Sequence, residues 1–157
     1  MNNEKSTITL THGHSFLKKI IERRNLKKFC KELNLAYNYT FQIITGLSLV
    51  STPFIFKLKN IVPVEFWFYD ENEKIPERQF IYVNSNNEKW NYKETLAYKR
   101  ILFESKNCGL KKWAKNHSIK YTTLWFSILN DRMPTYFLIS SLKNYINPIE
   151  WFYCQKF

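Results

Sequence analysis

Glycine, histidine and the motifs of catalytic sites are scarce in this chain of 157 residues. It has three glycines and three histidines, and they form neither a glycine-rich phosphate loop nor a cluster with carboxylates. The nucleophile elbow of a hydrolase is missing as well. His12 and His14 lie two residues apart without a third ligand nearby, so we expect both side chains to be solvated. We therefore expect no enzyme activity, small-molecule substrate, metal or cofactor.

Cysteines and long apolar runs are also few. The three cysteines are odd in number and do not have the spacing of zinc ligands, so they indicate neither a disulfide framework nor a metal site. The first eleven residues are too polar for a signal peptide, and the apolar runs are far shorter than a membrane span. The sequence predicts a protein of the reducing cytoplasm that does not enter a membrane.

Positive charge is abundant, with 24 Lys and Arg against 13 Asp and Glu. Residues 1–62 carry ten basic and three acidic side chains, residues 63–95 carry four and seven, and residues 96–157 carry ten and three. Two basic regions therefore flank an acidic one. A basic domain is typical of proteins that bind polyanions, because Lys and Arg neutralise phosphates and steer the partner. A lysine-rich soluble surface is the alternative explanation.

One stretch of the chain occurs twice at a constant spacing of 84 residues. The copies run without a gap from Leu26 to Tyr69 and from Leu110 to Tyr153, and they are identical at 13 of 44 positions. Both copies begin with Leu-Lys-Lys and end with Trp-Phe-Tyr. Self-similarity of this kind indicates that the chain is built from two similar units.

The repeat and the charge pattern define the expected organisation. We predict a mainly α protein with a first unit at residues 1–69, an acidic connector at 70–95 and a second unit at 96–157. Each unit is expected to have five helices, and residues 1–13 are expected to be a tail. Within the connector, Gln79–Val83 is the best strand pattern in the chain and predicts a short strand or ribbon.

Local signals predict where the helices begin and end. Ser15 is the expected N-cap of a first helix that starts at Phe16. Asn34 is expected in the tight turn between the second and third helices, because Asn tolerates the left-handed conformation. Gly46 ends the third helix, and Asn130 is expected to take the same left-handed role in the second copy.

Both copies contain a corner of two short predicted helices, at Leu26–Leu33 and Tyr37–Thr45 in the first copy. Its characteristic residues are Phe29, Cys30, Leu33, Asn34, Leu35, Ile44 and Gly46 in the first copy, and Trp113, Ala114, Ile119, Leu124 and Ile128 in the second. This pattern resembles the Cro/lambda-repressor (XRE-type) helix-turn-helix family, and it implies two tandem five-helix units of that kind. The chain departs from the family where Leu26 and Leu110 replace a usual Gln, and where Thr40 replaces a branched apolar residue.

The resemblance implies that the second helix of the corner lies in the major groove of DNA. The base-reading positions carried over to the first copy are Tyr37, Asn38, Gln42 and Thr45. Asn and Gln are the side chains that bond adenine bidentately. Lys27 and Lys28, at the start of the preceding helix, would meet phosphates. The solvated face of an amphipathic helix is the alternative interpretation of the same residues.

The equivalent helix of the second copy is more apolar. Phe126 and Leu129 stand where the first copy has Gln42 and Thr45, so this helix suits burial against protein better than base reading. The predicted partner or dimer face comprises Tyr121, Trp125, Phe126 and Leu129, and Phe41 of the first copy. The additional phosphate contacts predicted for this copy are Lys111, Lys112, Lys120 and Arg132.

Two functional hypotheses follow from these features. The first is a sequence-specific regulator of transcription from a phage or other mobile element. In it, copy one reads double-stranded DNA, while copy two packs, dimerises or adds phosphate contacts. The second is a protein-interaction module that keeps the helix-turn-helix shape and acts as an inhibitor or anti-defence factor. The duplicated basic charge favours the regulator, whereas the apolar helix of copy two and the missing Gln favour the interaction module.

Overall fold

The structure is a computed structural model that describes residues 8–77 and 89–154. Within those ranges the chain is mainly helical, as predicted, with eight α-helices and no strand longer than a single β-bridge. It divides into two compact units, residues 1–76 and residues 77–157. The strand predicted at Gln79–Val83 lies outside the described residues.

The first unit contains four α-helices followed by a short 3₁₀-helix. They are α1 (His12–Glu22), α2 (Leu26–Glu32), α3 (Tyr37–Ile44), α4 (Thr52–Leu58) and the 3₁₀-helix Val64–Trp67. α1 buries Leu17 and Ile21 on one side and exposes Lys18 and Lys19, which is the pattern of an amphipathic helix. α2 and α3 are too short to be stable in isolation, so they depend on the residues that they bury.

α1 begins at His12, four residues before the predicted start. Its N-cap is Thr11 and not Ser15, and the backbone N–H of Thr11 donates to Nδ1 of His14 at 3.1 Å. The N–H of His12 donates to the Tyr69 carbonyl at 3.1 Å, and Thr11 forms an antiparallel β-bridge with the residue that follows Tyr69. The residues just before α1 therefore belong to the folded unit. The expectation that His14 is solvated is wrong, because its side chain is buried.

The second unit repeats this order of elements after a short additional turn. Its elements are the 3₁₀-helix Tyr92–Glu94, α5 (Leu96–Ser105), α6 (Leu110–Asn116), α7 (Tyr121–Ile128), α8 (Tyr136–Leu142) and the 3₁₀-helix Pro148–Trp151. Each of the four α-helices starts 84 residues after its counterpart in the first unit, and so does the last 3₁₀-helix. The spacing read from the sequence is thus also the spacing of the elements.

The same positions form the core of both units. Trp67 and Trp151 are fully buried, as are Leu17 and Ile101. Further buried pairs are Phe29 with Trp113, Cys30 with Ala114, Ile55 with Ile139, Leu58 with Leu142, Val62 with Ile146 and Phe68 with Phe152. Full burial of a large apolar side chain contributes about 1.5–3 kcal/mol relative to its exposure. Many of the residues that the two copies share are therefore core residues.

The corner between the second and third helix is built alike in both units. Asn34 has φ 50°, which confirms the prediction that it takes the left-handed conformation, and Ser118 at the equivalent position has φ 57°. The next N–H closes the turn in each unit: Leu35 donates to the Cys30 carbonyl at 2.8 Å, and Ile119 donates to the carbonyl of the residue equivalent to Cys30 at 2.9 Å. The two corners thus share one backbone conformation.

The ends of α3 and α7 differ, and the prediction for Asn130 is wrong. Gly46 has φ 70° as expected, but the left-handed residue after α7 is Asp131, with φ 54°. After α3, the N–H of Leu47 closes the helix on the Gln42 carbonyl at 2.8 Å, five residues back. After α7, the closing bond runs from Arg132 to a carbonyl six residues back, at 3.0 Å. The N–H of Ser48, equivalent to Arg132, also donates to the Gln42 carbonyl, at 3.3 Å, so the six-residue closing bond is common to both units. The left-handed residue nevertheless lies one position later after α7 than after α3.

Candidate nucleic-acid interface

The outer side of α3 is a continuous polar and aromatic surface. Tyr37, Asn38, Phe41, Gln42 and Thr45 are all exposed. At 100° per residue they fall on one contiguous arc of the helix, opposite the residues that α3 buries. The four predicted base-reading residues therefore lie together, and Phe41 of the predicted partner face lies among them.

The buried side of α3 explains how the chain tolerates Thr40 at a position where an apolar residue is expected. Thr40 is fully buried, and its hydroxyl donates to the Ala36 carbonyl at 2.9 Å. This bond satisfies the hydroxyl inside the core, where an unpaired polar group would be costly. Leu124 is fully buried at the equivalent position of α7. Both residues therefore fill the same site.

Tyr39 fixes the loop that follows α3, a role that the sequence did not indicate. Its hydroxyl donates to the Leu49 carbonyl at 2.9 Å and accepts from the Ser51 N–H at 2.9 Å. Its ring packs edge-on against Phe54, with the ring centres 5.4 Å apart. Thr123 stands at the equivalent position, so comparison of the two copies gives no signal for this tyrosine.

Two of the predicted reading residues are held by local hydrogen bonds. Ser48 donates through its hydroxyl to Oε1 of Gln42 at 2.8 Å, and the Thr45 hydroxyl donates to the Phe41 carbonyl at 2.8 Å. The bond from Ser48 orients the Gln42 amide and leaves its NH₂ group without a hydrogen bond inside the described residues. A pre-oriented amide donor of this kind suits the reading of a base edge.

Basic side chains line two hollows beside the start of α2. Lys27 and Tyr37 border one open hollow of about 610 Å³, next to Asn25. Lys28 borders a second, together with Arg23 and Arg24. The sequence analysis did not include these two arginines among the phosphate contacts. Four cations therefore surround the N-terminal end of α2, close to the start of α3.

The second unit has fewer cations at the equivalent place. Lys111 and Lys112 are exposed at the start of α6, as their counterparts are on α2. Asn107 and Cys108, however, replace the two arginines. The N-cap of α6 is a glycine without a capping side chain, whereas Asn25 of the first unit accepts from the Lys28 N–H at 3.1 Å. The pair of arginines beside the second helix is thus specific to the first unit.

The outer side of α7 is apolar, as the sequence predicts. Tyr121, Phe126 and Leu129 are exposed, Leu129 to 57%, and the half-buried Trp125 has its ring 5.1 Å from that of Phe126. The guanidinium of Arg132 lies 4.4 Å from the centre of the Phe126 ring, a cation–π contact. Lys120 is exposed just before α7. Beyond the predicted face, Met133 and Phe137 are also exposed.

Comparisons with protein-family models, with curated proteins and with solved structures found no match to this chain. Across residues 8–77 and 89–154, no group of three or more His, Cys, Asp or Glu is placed to hold a metal ion. None of the helices in the described part of the chain is long and apolar enough to cross a membrane. The function has therefore to be inferred from the surfaces of the two units themselves.

Proposed function

We propose that the protein is a sequence-specific regulator of transcription that binds double-stranded DNA through α3 of its first unit. The observation that carries this proposal is the exposed arc of α3, where Tyr37, Asn38, Gln42 and Thr45 lie side by side. A short helix after a tight left-handed turn is the element that helix-turn-helix proteins insert into the major groove. The resemblance of the corner to the Cro/lambda-repressor family supports the same function, in a phage or other mobile element.

The proposed contacts divide into base reading and phosphate binding. Asn38 and Gln42 lie four residues apart on α3, so both amides project from one side of the helix and can bond adenine edges in neighbouring base pairs. Lys27 and Lys28, with the arginines beside them, would neutralise phosphates where the backbone passes the start of α2. The phosphate contacts position the protein, and the amides give it sequence preference.

The second unit takes a different part in this proposal. Its α7 presents Phe126 and Leu129 in place of Gln42 and Thr45. This unit is therefore proposed to pack, to form a homodimer or to bind a protein partner. Lys111, Lys112, Lys120 and Arg132 add contacts to phosphates without reading bases. One unit thus supplies specificity, and the other supplies association and non-specific affinity.

Removing both amides tests the reading role of α3. The double variant Asn38→Ala with Gln42→Ala should lose its preference among duplex sequences while keeping its affinity for unrelated DNA, because the phosphate contacts remain. The preferred duplex is first selected with the wild-type protein from a random pool, and both affinities are then measured by fluorescence anisotropy. Thr122→Ala, at the position equivalent to Asn38, is the matched control and should behave as wild type. A double variant that keeps the full preference would refute base reading by α3.

The apolar surface of α7 favours a second candidate function, a protein-interaction module that acts as an inhibitor or anti-defence factor with little or no DNA reading. Phe126→Gln with Leu129→Thr places the residues of the first unit on α7. If the wild-type protein binds no duplex DNA at low salt, and this variant abolishes an association seen by sedimentation, the second candidate replaces the first. If the variant leaves both self-association and partner binding unchanged, the α7 face has no such role.

A further inference from the structure

One edge of the first unit is apolar where the second unit is polar or charged. In the first unit this edge consists of Phe16 and Ile20 of α1, Leu33 after α2, Ile61 after α4 and Phe66 of the 3₁₀-helix, and we call it the apolar edge. The residues 84 positions later are Arg100, Glu104, His117, Tyr145 and Glu150. All five positions are thus apolar in the first unit and polar or charged in the second, whereas most core positions are apolar in both.

In the second unit these side chains satisfy one another. Glu104 accepts hydrogen bonds from the Tyr145 hydroxyl at 2.7 Å and from Nε of Arg100 at 3.0 Å. Arg100 also lies 3.8 Å from Glu150, and the His117 ring lies 4.3 Å from that of Tyr145. Burial acts to raise the pKa of Glu104, but the hydrogen bonds that it accepts outweigh burial and lower this pKa. Because these polar side chains pair with one another, this edge of the second unit can face solvent without a partner protein.

In the first unit the same edge leaves apolar surface in contact with water. Phe16 is 36% exposed, and its ring packs edge-on against that of Phe66, with the ring centres 5.4 Å apart. Ile20, Leu33, Ile61 and Phe66 are half-buried. Contiguous apolar surface on a folded unit marks an interaction site more often than single exposed residues do.

Basic side chains border the apolar edge. Lys19 and Arg23 follow Phe16 and Ile20 by three residues, which places them beside those residues on the same side of α1. Nζ of Lys57 donates to the carbonyl of the residue after Leu33, at 2.8 Å. These cations therefore lie at both ends of the edge, on α1 and beside the end of α2.

The basic border is also specific to the first unit. The residues equivalent to Lys19, Arg23 and Lys57 are Phe103, Asn107 and Ser141. Glu32 and Glu65 are the acidic residues next to the edge along the chain, so the border is positive on balance. Apolar centre and basic border thus occur together in one unit and are both missing from the other.

We propose that the apolar edge is a docking surface for an acidic amphipathic helix of a partner protein. The helix would lay its apolar stripe over Phe16, Ile20 and Phe66 and bring its carboxylates to the basic border. A second copy of this chain fits less well, because two such borders would place like charges opposite each other. Lys18, on the other side of α1, lines a hollow with Thr45. Docking at the edge therefore leaves the reading side of α3 open and shares only Arg23 with the proposed phosphate contacts.

A pair of designed peptides tests the chemistry of the partner. The first is a helical peptide of about 18 residues, in which successive Leu residues follow the helical spacing i, i+3, i+4, i+7 and all other residues are Glu. The second is its twin with Lys in place of Glu. The full-length protein should bind the acidic peptide at least about tenfold more tightly than its twin, because only the acidic one complements the border. Anisotropy gives the affinities, and amide chemical shifts locate the bound peptide.

Grafting the second unit's residues onto the edge tests the location. Phe16→Arg with Ile20→Glu recreates the pair Arg100 and Glu104, which forms an ion pair at 3.0 Å on the equivalent helix, so the variant is expected to fold. It should bind the acidic peptide about tenfold more weakly or worse, since buried aromatic anchors dominate such interfaces. Leu47→Ser, at a residue that is 70% exposed and lies outside the edge, is the control and should not change binding.

Four results with the peptides would overturn the proposal. They are equal binding of the two peptides, no binding of the acidic peptide, undiminished binding by the grafted variant, and shifts that map away from Phe16 and Phe66. A dimer that sedimentation detects for the wild-type protein and not for the grafted variant would also overturn it, because a second copy would then be the occupant.

Discussion

Gly13 lies so close to Trp67 that the indole occupies the space of a methyl group. A Cβ built on Gly13 would lie 2.5 Å from Cδ2 of Trp67, which real Cβ atoms do not tolerate. Trp67 is fully buried, so it has little room to move. The absence of a side chain at Gly13 is thus a packing requirement of the first unit.

Gly13→Ala is therefore expected to lower the free energy of unfolding of the first unit by about 1–3 kcal/mol, the usual cost of overpacking. Urea denaturation followed by tryptophan fluorescence measures the change. Ser15→Ala, on the same helix, is the control and should shift stability by less than about 0.5 kcal/mol. Equal stabilities of the two variants would contradict the close contact.

His14 makes the stability of the first unit depend on pH. Burial lowers its pKa below the ordinary value of 6.5, and the nearby Glu71 opposes the shift. Nδ1 accepts the Thr11 N–H, while Nε2 is buried without a hydrogen bond among the described residues. The unfolded chain therefore binds the proton more readily than the folded one, so stability is fully present above pH 6.5 and falls as the pH drops below it.

The expected result is that the first unit loses stability between pH 7 and pH 5, when denaturation is followed at both values. His14→Gln should flatten this dependence, because Gln at the third helical position can still accept the N-cap N–H without titrating. Tyr98 occupies the equivalent position in the second unit. A wild-type protein whose first unit is as stable at pH 5 as at pH 7 would show that His14 is not held neutral.

At the level of elements, the left-handed turn before α7 has a higher conformational free energy than the equivalent turn before α3. Ser118 has φ 57°, a conformation that costs a non-glycine residue roughly 1–2 kcal/mol, and Asn34 relieves part of that cost at the equivalent position. The same fold is thus encoded less favourably in the second unit at this point.

Ser118→Gly should accordingly stabilise the second unit by roughly 0.5–1 kcal/mol, as measured by thermal or urea denaturation. The same change at Ser141, inside α8, should have the opposite sign and cost about 0.5 kcal/mol, because glycine weakens a helix interior more than serine does. If both variants move stability in the same direction, the turn is not strained.

The helix boundaries were predictable from the sequence where both copies show the same pattern. They were less predictable where contacts between distant parts of the chain determine the boundary. The spacing of 84 residues fixed the expected starts of α2 and α3 and of their counterparts, and Asn34 marked its turn. The start of α1 was missed because the backbone pairing of Thr11 with the segment after Tyr69 is not visible in local signals. Asn130 was assigned wrongly because the next residue, Asp131, takes the left-handed conformation after α7.

The candidate site was predictable to a similar degree. Helical spacing put the predicted reading residues of α3 on one side, and the structure exposes all of them. Tyr39 and the two arginines beside Lys28 could not be assigned, because their roles depend on which loop and which helix end they meet in three dimensions. The five positions of the apolar edge are apolar in the first unit and polar or charged in the second. This common change could be recognised only after the structure showed that the five positions are neighbours.

For the whole molecule, the two units share a core and differ in what they expose. The first unit combines a polar outer side of α3 with cations at the start of α2, whereas the second presents an apolar α7 with fewer cations at the start of α6. In the proposed function, this difference gives one chain two kinds of contact. The central claim is that the contact made by the first unit is with duplex DNA.

The affinity for duplex DNA as a function of salt concentration tests that claim most directly. We predict binding at low salt that weakens steeply between about 50 and 200 mM, because each neutralised phosphate releases counterions. Lys27→Gln with Lys28→Gln should make the slope of log affinity against log salt shallower by roughly 1 to 2, because each neutralised phosphate adds about 0.9 to its steepness. Absence of duplex binding at low salt, or a slope that the double variant leaves unchanged, would contradict the account.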